Sequence, residues 1–369
     1  MNNISFFIGS LSGGGSERVC VNLANSLSHD NCHKISIVTL SGKNDVFAKD
    51  VAENIKLESL NVQNARFALW SVIKYLREKK TNVAVAFSYE LTVLLILVRK
   101  IFRLKFLIVA RNVNNFSQNV NDAETWWRRN IAIPIIKRLY AQADYYINQC
   151  EGMQSDLLSL YPELSTRSCV IYNPVKQSFF EPHQFNKVDY QFPFLLCVGR
   201  LENQKNFADA ITAFSLVSQL QPSLKLVIIG EGSLKSQLQE HSRNLGIDNR
   251  VIFEGFKTNI EDYYISARAT ILTSKYEGFP NVLLESIALG TPVISYNCPS
   301  GPSEIIIDGV NGYLVENENI DEMANSIMKV MDGSFDVKSI RSTADKYQNE
   351  AIIREYLSCI NKVRDKMAA

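Results

Sequence analysis

Residues 269–296 read "ATILTSKYEGFPNVLLESIALGTPVISY", and the order of local signals within them decides the fold. "ATILTS" and "TPVISY" are short, largely apolar runs rich in β-branched residues, as buried strands require. Between them, 281–289 predicts a helix, with Pro280 suited to its first turn and Gly290 placed to end it. Strand, loop, helix and strand in succession are the unit of a parallel sheet covered on both faces. Two carboxylates stand out against this apolar background. Glu277 lies in a Gly-Phe-Pro turn, and Glu285 sits within the helix eight residues on.

The same alternation extends outward through the whole chain. "FLLCVGR", "LKLVIIG" and "RVIFEG" read as further strands of this half. Ahead of them, "ISFFIG", "KISIVTL", "VAVAF", "KFLIVA", "DYYINQ" and "CVIYN" read as strands, with helices expected over 16–29, 65–80, 89–101, 123–140 and 150–161. The stretch "NPVKQSFFEPHQFNKVDYQFPF" (173–194) has three prolines and no clear period, and places the break between domains at about 175–192. The expected fold class is α/β: two doubly wound domains, 1–180 and 190–346, facing each other across a cleft.

Composition agrees with a globular enzyme. At 369 residues, the chain is too long for one small core, and 46% hydrophobic with 21% charged residues excludes disorder and a membrane bundle. Seven scattered cysteines, never spaced Cys-x-x-Cys, predict reduced thiols rather than a disulfide framework or a zinc site. The longest apolar run, "LTVLLILV" at 91–98, is far shorter than a spanning helix, and the start lacks the basic region of a signal peptide. Net charge is +1, but residues 1–180 hold 21 Lys/Arg and 14 Asp/Glu, and the remainder 18 and 24. The first half is thus suited to an anionic partner.

Ligands of such sheets bind where strand ends run into helices. Three of those loops carry candidate chemistry. "IGSLSGGGSERV" puts Gly13, Gly14 and Gly15 ahead of a helix capped near Ser16, where backbone N–H groups can meet an anion. A tight connection alone would also explain these glycines. "VGRLENQKNF" places Arg200 and Lys205 where two cations could clamp a diphosphate, or simply be solvated. In the third, Glu285 among apolar neighbours needs hydrogen-bond donors, which a ribose diol or an internal ion pair would supply. Glu277, just ahead of the helix start, would reach the group beyond a phosphate held there.

These residues resemble a family. "EGFPNVLLE" is similar to the Glu-x₇-Glu signature of retaining glycosyltransferases of family 4, which have the GT-B fold. "VGRLENQKN" resembles their Arg-x₄-Lys loop, "GGGSERV" their Gly-Gly-x-Glu-Arg turn, and "GEGSLKSQL" a further glycine turn with Glu231 in place of Asp. The resemblance implies that 190–346 binds a nucleotide sugar, with UDP the nucleotide that resemblance to the bacterial subgroup favours, and that 1–180 binds the acceptor. Arg200 and Lys205 would hold the diphosphate, Glu285 the ribose, and Glu277 the donor sugar. Backbone at Phe279, Pro280, Asn281, Val282 and Leu283 would contact phosphate and sugar, with Phe256 and Lys257 at the rim of the base site. Gly14 and Gly15 would approach the diphosphate, and a last helix over 347–369 would pack back on the first domain. Where several members carry a histidine after "FLIVARNVNN", this chain has Arg111 and Asn112, which together with Glu17 are the candidates on the acceptor side.

The implied reaction is retaining transfer of a hexose or N-acetylhexosamine to a lipid-linked saccharide in O-antigen or capsule synthesis, without metal or other cofactor. No Asp-x-Asp occurs in the chain. A noncatalytic sugar-nucleotide-binding subunit and an epimerase on the same fold are the rival readings. The expected location is cytoplasmic, peripheral on the inner membrane. Between Val93 and Tyr140 nine Lys/Arg face only Asp122 and Glu124, and "TWWRRNIAIPIIKRLY" joins Trp126 and Trp127 to a basic, apolar-striped segment suited to an anionic membrane surface. No nucleic acid is implied.

Overall fold

The computed structural model describes residues 2–30, 32–42, 45–121, 126, 128–181 and 185–368. Its strands form two parallel sheets. The first contains β1 (Asn2–Ile8), β2 (His33–Thr39), β3 (Lys56–Ser59), β4 (Val83–Ala86), β5 (Leu107–Arg111), β6 (Tyr145–Asn148) and β7 (Ser168–Val170), in the order β3-β2-β1-β4-β5-β6-β7. The second contains β8 (Phe194–Val198), β9 (Lys225–Ile229), β10 (Val251–Gly255), β11 (Ala269–Leu272), β12 (Val293–Tyr296) and β13 (Gly312–Val315), in the order β10-β9-β8-β11-β12-β13. Each order runs outward from the first strand in both directions, which is the doubly wound, Rossmann-like arrangement of each half of a GT-B protein.

The helices of the first half are α1 (Gly15–Leu27), α2 (Leu69–Lys79), α3 (Tyr89–Phe102), α4 (Phe116–Asn121), α5 (Ile133–Tyr140) and α6 (Glu151–Leu160). Those that follow are α7 (Phe207–Ser218), α8 (Lys235–Asn244), α9 (Ile260–Ser266), α10 (Asn281–Leu289), α11 (Pro302–Ile305), α12 (Ile320–Asp332), α13 (Val337–Ser342) and α14 (Asn349–Ala368). One compact unit comprises residues 1–174 with 349–369, and the other 175–348. Residues 175–180 pack in the second unit: the Val175 N–H donates to Tyr347 O at 2.9 Å, and Phe179 is buried.

In the first unit the sheet is covered on one face by α2, α3 and α5, through Val72, Leu95 and Ile136. On the other face lie α1 and α14, through Leu23, Ile352, Tyr356 and Ile360. In the second unit α7 and α12 bury Phe214, Val217, Met323 and Ile327 against β8, β9 and β11. The central strands are buried on both sides, so they read as unbroken apolar runs. Edge strands β3 and β13 are half-exposed and were not expected from the sequence, because a strand with one open side needs no such run. The stretch expected as one helix over 123–140 is a π-helical turn, Arg128–Ala132, running into α5, and Asp122, Glu124 and Trp127 lie outside the described residues.

Candidate active site

In the second unit the strand order reverses between β8 and β11, and ligands of such sheets bind at the carboxyl ends of the strands beside that reversal. The loops leaving both strands are fixed by backbone contacts. Gly230 (φ +139°), at the end of β9, lies so close under the β8 loop that a Cβ there would fall 1.9 Å from Gly199 O. Only glycine fits. The Leu201 N–H donates to Glu231 O and the Leu234 N–H to Leu201 O, each at 3.0 Å. Glu202 accepts from the Ser233 N–H at 2.9 Å and its hydroxyl at 2.7 Å, and that backbone hydrogen bond holds its carboxyl below the usual range.

The β8 loop is then stitched to the β11 loop. The Lys275 N–H donates to Gln204 O at 2.9 Å, Gln204 Nε2 to Tyr276 O at 3.0 Å, and Thr273 Oγ1 to Asn206 O at 2.9 Å. This brings Lys205 Nζ to 2.5 Å from Glu277 Oε1, with side chains 17% and 8% exposed. Ser274 Oγ donates to the same oxygen at 2.6 Å. A third loop backs the turn. The Glu277 N–H donates to Pro299 O at 2.8 Å, and Gly301 (φ +96°) packs so tightly that a Cβ would lie 2.7 Å from Pro280 Cδ. Burial pushes the neighbouring Cys298 thiol well up, and Glu277 adds to that shift.

Past this turn, α10 buries Leu283, Leu284 and Ser286–Leu289, while Asn281, Val282 and Glu285 share its half-buried side. Glu285 is therefore not enclosed as its apolar neighbours suggest; it faces the open side of the helix and accepts a hydrogen bond from Tyr264 Oη at 3.1 Å. Phe279 and Pro280 are buried, and the Phe279 ring meets Tyr347 at 5.6 Å, so at Phe279 and Leu283 the backbone is what a ligand could reach. Arg200 is exposed at the mouth of the β8 loop. Phe256 is exposed beyond β10, and Lys257 holds Glu254 at 2.6 Å, a hydrogen bond that raises its pKa. Glu231 is bridged to Lys235 at 2.9 Å.

The first unit's candidates divide differently. Helix α1 begins at Gly15 with Gly14 as its N-cap, two residues earlier than a cap at Ser16 would set it. Glu17 folds back and accepts from the Gly13 N–H at 2.7 Å, the Gly14 N–H at 3.0 Å and Ser10 Oγ at 2.9 Å. The carboxylate thus occupies donors that an anion would otherwise use. Arg111 belongs to no exposed basic face: it is 1% exposed, donates to Tyr356 Oη at 2.6 Å and to Asn173 Oδ1 at 2.5 Å, and lies over the Phe87 ring. Asn112 is buried too, donating to Asn148 Oδ1 at 2.5 Å and accepting from Tyr140 Oη. Arg99, another of the nine cations, is bonded to Asp144.

Sequence reading missed Ser274 and Tyr264, whose hydroxyls hold the two glutamates, and the 299–301 loop behind the turn. Single hydroxyls leave no pattern; the "SGP" of that loop was the available sign. Among the described residues, no group of three His, Cys, Asp or Glu side chains could hold a metal ion, and no helix is long and apolar enough to cross a membrane.

Two family models match the chain: glycosyltransferase family 4 over residues 13–179, and glycosyl transferases group 1 over 179–351. The lipopolysaccharide 1,6-galactosyltransferase of Salmonella typhimurium is 30% identical over 289 residues, covering 68% of this chain and 75% of that protein. The N-acetylgalactosamine-N,N'-diacetylbacillosaminyl-diphospho-undecaprenol 4-alpha-N-acetylgalactosaminyltransferase of Campylobacter jejuni is 30% identical over 220 residues, and the match covers 59% of this chain and 56% of the relative's length. In fold, the chain is similar to Anabaena HepE in complex with UDP, with a TM-score of 0.78 at 17% identity, covering 98% of this chain and 100% of that one.

Proposed function

The chain belongs to glycosyltransferase family 4, and from that premise we propose that it transfers a hexose or N-acetylhexosamine from a UDP-linked donor to a lipid-linked saccharide, with retention, in bacterial surface-polysaccharide synthesis. One observation carries the reading: the Lys205 ammonium and the Glu277 carboxylate meet at the strand-order reversal of the second unit, beside the start of α10. A buried pair at a sheet's ligand-binding end, rather than in its core, supports a role in holding substrate. The Salmonella and Campylobacter relatives' names support the polysaccharide setting and the lipid-linked acceptor, and the UDP complex of HepE supports the nucleotide.

In this mechanism Arg200 and Lys205 face the diphosphate, and their positive charge stabilises it as the anomeric C–O bond breaks. The start of α10 adds its partial positive charge to the same group. Glu285 accepts from the ribose hydroxyls and Glu277 from those of the donor sugar. The acceptor hydroxyl attacks the anomeric carbon from the face the leaving group departs, and its proton passes to the departing phosphate oxygen. No protein nucleophile or metal is used. In the first unit the Gly13 and Gly14 N–H groups can meet an anion once Glu17 yields them, and the basic residues between Val93 and Tyr140 that remain exposed hold the protein on the cytoplasmic face of the inner membrane.

The test is a thermal-shift screen of nucleotide sugars, then transfer to lipid-linked acceptors in EDTA, with the product's anomeric configuration read by NMR. Transfer with retention in EDTA is expected. Binding without any turnover, an inverted product, or full loss in EDTA would each overturn the corresponding part.

A further inference from the structure

We propose that Tyr264 is a positioning residue for Glu285, and that the pair makes the donor site select a ribonucleoside diphosphate over one lacking the 2′,3′-diol. The proposal rests on the reading of Glu285 as the acceptor of the ribose hydroxyls, and adds how that carboxylate is aimed and what it discriminates.

Helix α9 buries Ile260, Tyr263 and Tyr264, and the Tyr264 side chain is wholly enclosed. Its hydroxyl nevertheless reaches the side of α10 that the core leaves open, where it donates to Glu285 Oε2 at 3.1 Å. The two residues are 21 apart in sequence, and the ends of their helices are sewn together. Thr291 Oγ1, just past the Gly290 cap of α10, donates to Tyr264 O at 2.6 Å. The Thr291 N–H donates to Ser286 O at 3.0 Å, and Ser286 Oγ donates back to Thr291 O at 3.0 Å. Both backbones are therefore fixed relative to each other, and the hydroxyl meets the carboxylate from a set direction.

A buried phenol needs an acceptor whatever its purpose, so the kind of acceptor is what distinguishes a role. Tyr146 settles on the backbone carbonyl of Tyr140 at 2.5 Å, which serves the fold alone. Tyr264 instead holds a half-buried carboxylate, on the face of α10 shared with Asn281 and Val282. A glutamate on that side has several rotamers to choose from, and fixing one when a ligand arrives costs affinity. The phenol fixes it beforehand. Being neutral, it does so without adding a positive charge that would compete with a ligand's donors. A carboxylate accepts about four hydrogen bonds, so holding one oxygen still permits a vicinal diol to donate to it. A carboxylate aimed at a diol also disfavours ligands without one, because its lone pairs are then desolvated and unmet.

Calorimetry with UDP and with 2′,3′-dideoxyuridine diphosphate tests this. Wild type should bind UDP more tightly by about tenfold or more. Tyr264→Phe keeps the ring and removes one oxygen; it should lose about three- to tenfold in UDP affinity and nothing in affinity for the dideoxy analogue. The same loss should appear in the donor KM, since the ribose is held alike in ground and transition state. In a Glu285→Ala background, adding Tyr264→Phe should weaken UDP binding no further. Equal losses for both nucleotides, or a further loss in the Glu285→Ala background, would show that the hydroxyl only braces α9 against α10. An undiminished UDP preference in Tyr264→Phe would overturn the positioning role while leaving Glu285 on the ribose. Wild type that binds both nucleotides alike would instead take Glu285 off the ribose, and the proposal with it. Absent UDP binding would overturn the UDP-donor reading itself.

Discussion

Lys205→Ala perturbs two things at once, and the structure separates them. Deleting the ammonium leaves the Glu277 carboxylate, 8% exposed, with Ser274 as its remaining donor at the shared oxygen. Breaking a buried ion pair by removing one partner costs ~3–5 kcal/mol, and the solvent edge on which Lys205 sits lowers this to about 2–3 kcal/mol. If the ammonium also faces the leaving diphosphate, a further ~2–4 kcal/mol of transition-state stabilisation is lost, which is roughly a 30- to 1000-fold drop in turnover. Glu277→Gln removes the unpaired charge, so Lys205→Ala/Glu277→Gln should be more stable than the sum of its parts by about 1–3 kcal/mol. Its turnover should stay as low as that of Lys205→Ala. Urea unfolding and donor turnover on the two single variants and the double decide the matter. A double variant that regains stability and also turns over donor near the wild-type rate would show that the pair only braces the fold.

The two glutamates should part in calorimetry: Glu285→Gln weakens UDP binding by losing an acceptor for the ribose, whereas Glu277→Gln leaves UDP affinity nearly intact and lowers donor turnover. Equal losses of UDP affinity would reassign Glu277 to the nucleotide. Gly230→Ala should destabilise by more than ~2 kcal/mol, from backbone strain and a Cβ against Gly199 O, and normal urea stability would refute that close approach. Glu202 has a depressed folded-state pKa, so its hydrogen bonds to Ser233 stabilise above its ordinary 4.5 and cease to do so as pH falls through the folded value. The stability difference between wild type and Glu202→Gln should therefore be present at pH 7 and shrink below pH 4; a pH-independent difference would count against this.

Local chemistry in the chain was enough for the alternation of strand and helix, because central strands buried on both faces must be apolar throughout and helices between them carry their own stops. Gly290 does end α10, with φ +91°, and Pro280 does precede its first turn. The spacing of Glu277 and Glu285 around that turn was likewise legible, since both lie within one loop and helix. What lay beyond reach were partners distant in the chain. Lys205 and Glu277 are separated by 72 residues, and only the adjacency of β8 and β11 brings them to 2.5 Å. Arg111 reads in sequence as an acceptor-side candidate within a basic stretch, yet it is buried and bonded to Tyr356, 245 residues later, because α14 packs in the first unit beside α1. Trp70, by contrast, has helical neighbours that would equally suit a buried stripe, and its exposure was decided by which side of α2 the sheet happened to occupy. Periodicity specifies an apolar face along a helix; which residues border solvent at its edges depends on the neighbours that tertiary packing supplies.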